Sequence, residues 1–469
     1  MRIVLISTYE MGRQPFGLGS PAAWLKNAGF EVRCLDLALQ PLDPESVHEA
    51  GLIALHVPMH TATRIAAGVI ERIRALNPYV HLCAFGLYAP MNAGFLRRLG
   101  VETILGGEFE AGLLGLAVKL ANAREDSDNV GTRESAIVCS ERNGSIQDIS
   151  LSRLKFLVPD RSGLPQLAKY AQLKTPDGGS KITGYTEASR GCKYLCRHCP
   201  VVPIYRGQFR IVQADVVLGD IAQQVAAGAS HITFGDPDFF NGPKHAIGLV
   251  RAVHDRFPTV TYDVTIKIEH LIKHRNNLAA LRETGCVFIT SAVESLDDRI
   301  LRLLDKGHTR QDFFTAVELC ECAGLILTPT FVAFHPWMDL SGYEELLSTI
   351  AELGLIDRVA PVQLALRLLI PSGSYLLALP EVEALAKEFD ESSLCYSWKH
   401  LDPGVDAFQR DIESAIAMMA KRGLDRTQIF SFVWDKLQSA VGTPGKPAPN
   451  DTSIPKRATV PYLNEPWYC

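Results

Sequence analysis

Apolar and polar positions alternate in two rhythms over the first 120 residues. Short apolar runs at 2–7, 32–36, 52–57, 80–85 and 103–105 read as strands, and the spacing at 22–28, 63–76 and 92–99 reads as helical. Gly29 closes the first helix. A further helix is expected after Gly106-Gly107-Glu108. Strand and helix in strict turn predict a parallel, doubly wound sheet of Rossmann type.

The pattern weakens from 121 to 180. AREDSDNVGTRES is a polar loop, AIVCS and the residues after Gly144 could pair as a small hairpin, and KTPDGGSK is a turn-rich linker. Alternation resumes at 181. Strands are expected at 185–188, 231–234, 261–266, 286–292, 325–332 and 362–369, with helices between them. Five or six such units read as a full or partial β/α barrel. One or two helices follow 401, and then a proline-rich, extended tail. The organisation is an α/β chain with units at 1–120, 121–180, 181–400 and 401–469.

Composition narrows the class. Hydrophobic residues make up 47% and charged residues 21% of the 469, so there is ample material for globular cores. With a net charge of −5, no overall basicity advertises a nucleic-acid partner. The longest apolar runs, such as 364–370, are too short to span a bilayer. The first residues lack a signal-peptide layout, so a cytoplasmic protein is expected. The cysteines number 11, an odd count scattered through periodic segments, unlike a secreted disulfide framework. Cys34, Cys83, Cys139, Cys286, Cys320, Cys322 and Cys395 are expected to be small buried apolar residues.

Three cysteines differ. SRGCKYLCRHCP places Cys192, Cys196 and Cys199 at C-x3-C-x2-C spacing, directly after an expected strand, where a barrel carries its active-site loops. Three thiolates on a tight loop can each ligate one iron of a cubane cluster and leave the fourth iron open to a chelating ligand. A zinc site would call for a second cysteine pair, and none follows.

At this motif the chain resembles the radical S-adenosylmethionine (SAM) superfamily. The resemblance implies a [4Fe–4S] cluster on Cys192, Cys196 and Cys199, with SAM on the open iron. His198 stands where that family usually has an aromatic residue. TFGDPDFF (233–240) is similar to the family's second-strand motif, which implies SAM-binding roles for Gly235, Asp236 and Asp238; a plain Asp-Pro turn is the other reading. TIKIE (265–269) resembles the family's Arg-x-Asp segment but carries Lys267 and Glu269 instead. Lys267 could meet the SAM carboxylate, without the two-pronged grip of an arginine. Glu294 matches the acidic residue for the SAM ribose, Lys306 matches without a clear role, and Arg367 ends a late strand that could face the site.

The first unit is similar to the cobalamin-binding domain that precedes many radical SAM domains. Such sheets bind ligands at their carboxyl ends. Gly106-Gly107-Glu108 and the glycine-containing segment 9–19 are the suggestive stretches. The cobalt-ligating Asp-x-His-x-x-Gly signature is absent, so bound cobalamin is expected to lack a protein histidine below its cobalt. His56 and His60 are expected to be structural. The terminal LNEPWYC resembles the CUAEP/CCAEP-tail radical SAM proteins, with Cys469 standing just before the position of selenocysteine.

The resemblance implies reductive cleavage of SAM, a small-molecule substrate and an electron donor such as flavodoxin or ferredoxin. Methyl transfer with cobalamin is the leading outcome. Transfer of the 3-amino-3-carboxypropyl group to a soft nucleophile such as arsenite, and a non-enzymatic electron-transfer or sensing role, stay open.

Overall fold

A computed structural model of the chain describes residues 1–130, 146–449 and 458–459. The first sheet contains β1 (Arg2–Ser7), β2 (Glu31–Asp36), β3 (Ala50–His56), β4 (His81–Phe85), β5 (Thr103–Gly107) and β6 (Ile146–Ser150). Its order is β2-β1-β3-β4-β5-β6, with every pair parallel. Central β3 is buried along its whole length, as a strand covered on both faces must be. One face packs on Val69, Ile70 and Ile73, the other on Leu18, Leu25 and Leu113.

Three expectations change here. The first helix starts at Phe16, so the segment 9–19 is an open loop only as far as Pro15. Gly17 and Gly19 sit inside the helix because the chain is packed closely against its neighbours there. The helix Pro44–Glu49 was not foreseen; Pro44 occupies its first turn, where a missing N–H costs nothing. Residues 146–150 form no hairpin but a sixth parallel strand on β5. The AIVCS half of that expectation lies outside the described residues.

The second sheet contains β7 (Gln172–Lys174), β8 (Ser180–Thr186), and then, beyond two short strands of the cysteine loop, β9 (Ser189–Gly191) and β10 (Phe209–Ile211), the strands β11 (His231–Phe234), β12 (Thr261–Thr265), β13 (Cys286–Glu294) and β14 (Ile326–Phe331). Its order is β14-β13-β12-β11-β8-β7, parallel except at β7. The strand expected at 362–369 is instead the 3-10 turn Pro361–Leu364 and one bridge between Phe334 and Arg367. Pro361 opens the turn, and Leu364 and Ala365 join the core that holds Phe408 and Ile412 rather than extending the ladder. The sheet therefore stays a curled half-barrel beside the Rossmann-like sheet.

Helices Pro403–Lys421 and Arg426–Ala440 close the far side, with Trp434 fully buried. Beyond 449 only Ala458 and Thr459 are described, and Thr459 bridges to Lys174. Cys469 and its tail lie outside the described residues. Among those described, no helix is long and apolar enough to cross a membrane. Cys34, Cys83, Cys286 and Cys320 are buried as expected, whereas Cys322 is exposed. It lies two residues, about 200° of helix, beyond inward-facing Cys320. Cys395 is half-buried, and Cys139 is not among the described residues.

Candidate active site

The three cysteines occupy an excursion at the carboxyl edge of the half-barrel. After β8 the chain leaves the sheet through β9, which pairs antiparallel with β10, so residues 192–208 form a loop closed at its base. Gly191 makes the turn at φ +75°, and any side chain there would strike the Tyr205 ring and the Gln208 carbonyl. The Asn241 amide donates to Gly191 O (3.2 Å), and Lys193 N donates to Asn241 Oδ1 (3.3 Å). Arg197 reaches the carbonyls of Arg302 (3.0 Å) and Leu303 (2.9 Å), tying the loop to the end of the helix Asp298–Leu303.

The GDPD segment supports this loop. Asp236 accepts from Ser189 Oγ (2.6 Å) and Ala188 N (2.9 Å), so it braces the approach to Cys192. Burial pushes its carboxyl up to about 7 against those two hydrogen bonds. Asp238 lies 2.6 Å from His270 Nδ1, and His270 Nε2 lies 2.8 Å from the Tyr194 hydroxyl within the cysteine loop. Asp238 and His270 are both fully buried. A side chain at Gly235 would overlap the Tyr185 ring, so this position needs glycine for packing.

Two lysines converge on the cysteines. Lys267 Nζ lies 3.6 Å from Cys196 Sγ, donates to Lys306 O (3.0 Å) and sits 3.4 Å above the Tyr194 ring. Glu294 ends β13 at φ +70°, a left-handed conformation rare outside glycine, where the register shifts after Ala292. This places Glu294 Oε1 3.0 Å from His198 Nε2 and 3.3 Å from Lys306 Nζ. Burial would raise the carboxyl, but Lys306 and His198 hold it at about 2. Burial works against the Lys306 charge too, yet Glu294 and the nearby thiols keep its pKa raised. His308 is buried with neither ring nitrogen paired among the described residues; burial, with Lys306 and Lys267 beside it, lowers it to about 4.

A second charged centre joins the two sheets. Arg190 binds Glu110 by two nitrogens, Glu187 at 2.9 Å and Glu108 at 3.3 Å, and lies over the Phe16, Phe109 and Phe156 rings. Glu108 follows the Gly106-Gly107 pair and also accepts from Tyr205 (3.1 Å), the residue packed on Gly191. Beside this centre lies a half-open cavity of about 270 Å³ between the sheets. Glu10, His56, Gly86 and Gly107 line it from the first sheet, and Tyr185, Glu187 and Gly235 from the second.

Cys192, Cys196, Cys199, Lys267 and Glu294 are thus brought together, with Asp236 and Asp238 bracing them from beneath. Arg367 is not. Its guanidinium binds Asp406 (2.7 Å) and the Trp398 carbonyl (2.8 Å) and stacks on the Trp398 ring. With no strand formed at 362–369, its partners are the segments that lead into the C-terminal helices. No sequence signal pointed to the Glu294 pairing with His198 or to the chain from Asp238 through His270 to Tyr194. For Arg190 the only signal was its place in the motif, two residues before Cys192.

Residues 186–359 match the Radical SAM superfamily. The chain carries a radical SAM domain. That superfamily makes the domain an enzyme's and implies a [4Fe–4S] cluster and SAM. Over 193 residues the chain is 26% identical to a tRNA-2-methylthio-N(6)-dimethylallyladenosine synthase of Chlorobium phaeobacteroides, covering 38% of this chain and 41% of that protein. The same enzyme of Bacteroides thetaiotaomicron is 26% identical over 171 residues, covering 34% and 37%. The chain spans about two fifths of the length of these curated relatives. Among solved structures, the cobalamin-dependent SAM radical enzyme OxsB, with aqua-cobalamin and SAM bound, has a TM-score of 0.68 at 14% identity, over 94% of this chain and 71% of that one. The radical SAM methyltransferase TsrM of Kitasatospora setae, with tryptophan substrate and a SAM analog, has a TM-score of 0.57 at 18% identity, over 75% and 71%. At these identities the likeness is one of fold.

The donor set of the radical SAM domain suits its cluster. Burial pushes the free Cys199 thiol up to about 12 and raises Cys192 as well, so their ionisation calls for nearby positive charge. Iron would supply it, with Lys267 and Lys306 adding to it. Among the described residues no three His, Cys, Asp or Glu side chains gather around a single ion. Thiolates that each take a separate iron need no such gathering.

Proposed function

We propose that this radical SAM enzyme cleaves SAM reductively and modifies a small-molecule substrate, with cobalamin between the two sheets and methyl transfer as the outcome. The observation that carries the reading is the cavity where the carboxyl edges of both parallel sheets meet. Ligands of such sheets bind at those edges. A cofactor there would lie beside Gly191, immediately before Cys192. A corrin exceeds the enclosed volume, so it would also occupy the open mouth.

When bound, the cluster supplies the electron that breaks a carbon–sulfur bond of SAM. The chain's residues position the reactants. Cys192, Cys196 and Cys199 hold the cluster, and Lys267 offers positive charge at Cys196 for the SAM carboxylate or a thiolate. Glu294 spends Oε1 on His198 and Lys306, which leaves Oε2 to accept from a ribose hydroxyl. Gly235 lets the Tyr185 ring pack against the strand end, and Asp236 and Asp238 set the loop. Electrons would come from a separate cytoplasmic donor such as flavodoxin or ferredoxin. The relatives that modify tRNA resemble only part of this chain, and a net charge of −5 does not favour such a substrate.

The test is anaerobic reconstitution with iron and sulfide, reduction, and addition of methyl-labelled SAM and cobalamin. Label appearing on cobalamin and 5′-deoxyadenosine in solution support the reading. Release of 5′-methylthioadenosine would replace it with aminocarboxypropyl transfer.

A further inference from the structure

His56 ends β3, at the middle of the first sheet's carboxyl edge, and its ring borders the cavity. Its Nδ1 lies 2.6 Å from Glu10 Oε1. The carboxylate accepts a hydrogen bond from Nδ1–H there, which leaves the lone pair of the neutral ring on Nε2. Nε2 has no hydrogen-bond partner among the described residues.

Other buried histidines here are used differently. His231 engages Thr261 and Asp263 through both nitrogens, and His60 Nε2 meets the Ser393 carbonyl. The His56 ring is also fixed from several sides. Phe85 and Phe109 lie 5.1 and 5.9 Å from it, and Gly17 is packed so closely that any side chain there would overlap the imidazole. An imidazole oriented by a carboxylate, with its second nitrogen open to a cavity, is the arrangement proteins use for metal ligation.

One imidazole cannot hold a bare metal ion, and no three ligating side chains converge among the described residues. A metal bound at Nε2 must bring its other ligands with it. A corrin does so, supplying four equatorial nitrogens and leaving an axial position. We propose that His56 Nε2 is the axial protein ligand to the cobalt of a corrin bound between the two sheets, with Glu10 as the residue that orients the ring. This rests on the cobalamin reading above. It departs from the expectation of a cobalt without a protein histidine, because the ligand comes from the end of β3 and not from a motif after β1. Binding at Nε2 displaces water or the cofactor's own base from the axial position and changes no oxidation state.

The experiment uses the full chain labelled with 15N-histidine and loaded with hydroxocobalamin. Unbound cofactor is removed, cobalt is reduced to Co(II), and the electron paramagnetic resonance spectrum is recorded. Coordination by His56 splits each resolved cobalt line into a doublet. A triplet from the cofactor's own 14N base, or no nitrogen splitting, overturns the assignment while cobalamin binding stands. Failure to retain cobalamin overturns both. In His56→Gln the doublet should vanish; its persistence would assign another histidine and overturn the proposal. This labelled measurement on the unmodified protein needs no variant to fold. Glu10→Ala should weaken cobalamin retention about 10- to 100-fold, as loss of an orienting partner does, and unchanged retention would remove Glu10 from the proposal.

Discussion

Arg190 grips Glu110 with two nitrogens, at 2.7 and 3.0 Å, only two residues before Cys192. Glu110 opens the helix after β5, so the first sheet holds the base of the cysteine loop. Both side chains are buried, and neither charge has water to fall back on.

Removing one partner of this pair should therefore be costly. Glu110→Ala leaves the guanidinium with Glu108, Glu187 and the Ser20 hydroxyl and is expected to lose about 3–5 kcal/mol of stability. Denaturant unfolding measures the loss, and iron content after reconstitution should fall with it. A loss under 1 kcal/mol would show that the pair carries little of the contact.

Glu294 gives a pH dependence of known sign. Its folded pKa, about 2, lies below the ordinary value of 4.5, so its contribution is present above 4.5 and is lost as pH falls toward 2. The difference corresponds to about 3 kcal/mol. Glu294→Gln should flatten the stability curve in that window. An unchanged acid limb would contradict the pairing with Lys306 and His198.

Glu108 runs the opposite way. Burial raises it from 4.5 to about 7, against the pull of Arg190, so the folded chain binds its proton more tightly than the unfolded one. Stability from this group is full below 4.5 and declines as pH climbs to about 7. Glu108→Gln keeps an acceptor for Tyr205 and should remove that decline. Unfolding midpoints across this range decide the matter.

Cys192→Ala, Cys196→Ala and Cys199→Ala should each abolish the electron paramagnetic resonance signal of a reduced [4Fe–4S] cluster, and SAM cleavage with it. Full cleavage by any of the three would remove that cysteine from the ligand set.

Much of the fold was legible because burial on both faces forces continuous apolar runs, and β1, β3 and β4 show them plainly. The cysteine loop was legible for another reason: cluster chemistry imposes residue types at fixed spacing, whatever surrounds them. The strand expected at 362–369 failed because an apolar run records burial without recording what buries it; there it was helices, not a sheet neighbour. Arg367 moved out of the site with that lost strand.

Along the chain, sequence determined the alternation of elements and the identity of the thiol loop, since both are set by local periodicity and spacing. Tertiary structure alone decided which charges meet. Arg190 lies 80 residues from Glu110, His198 lies 96 from Glu294, and His56 lies 46 from Glu10. A buried ion pair depends on two distant side chains losing water at the same point, and no local pattern encodes that.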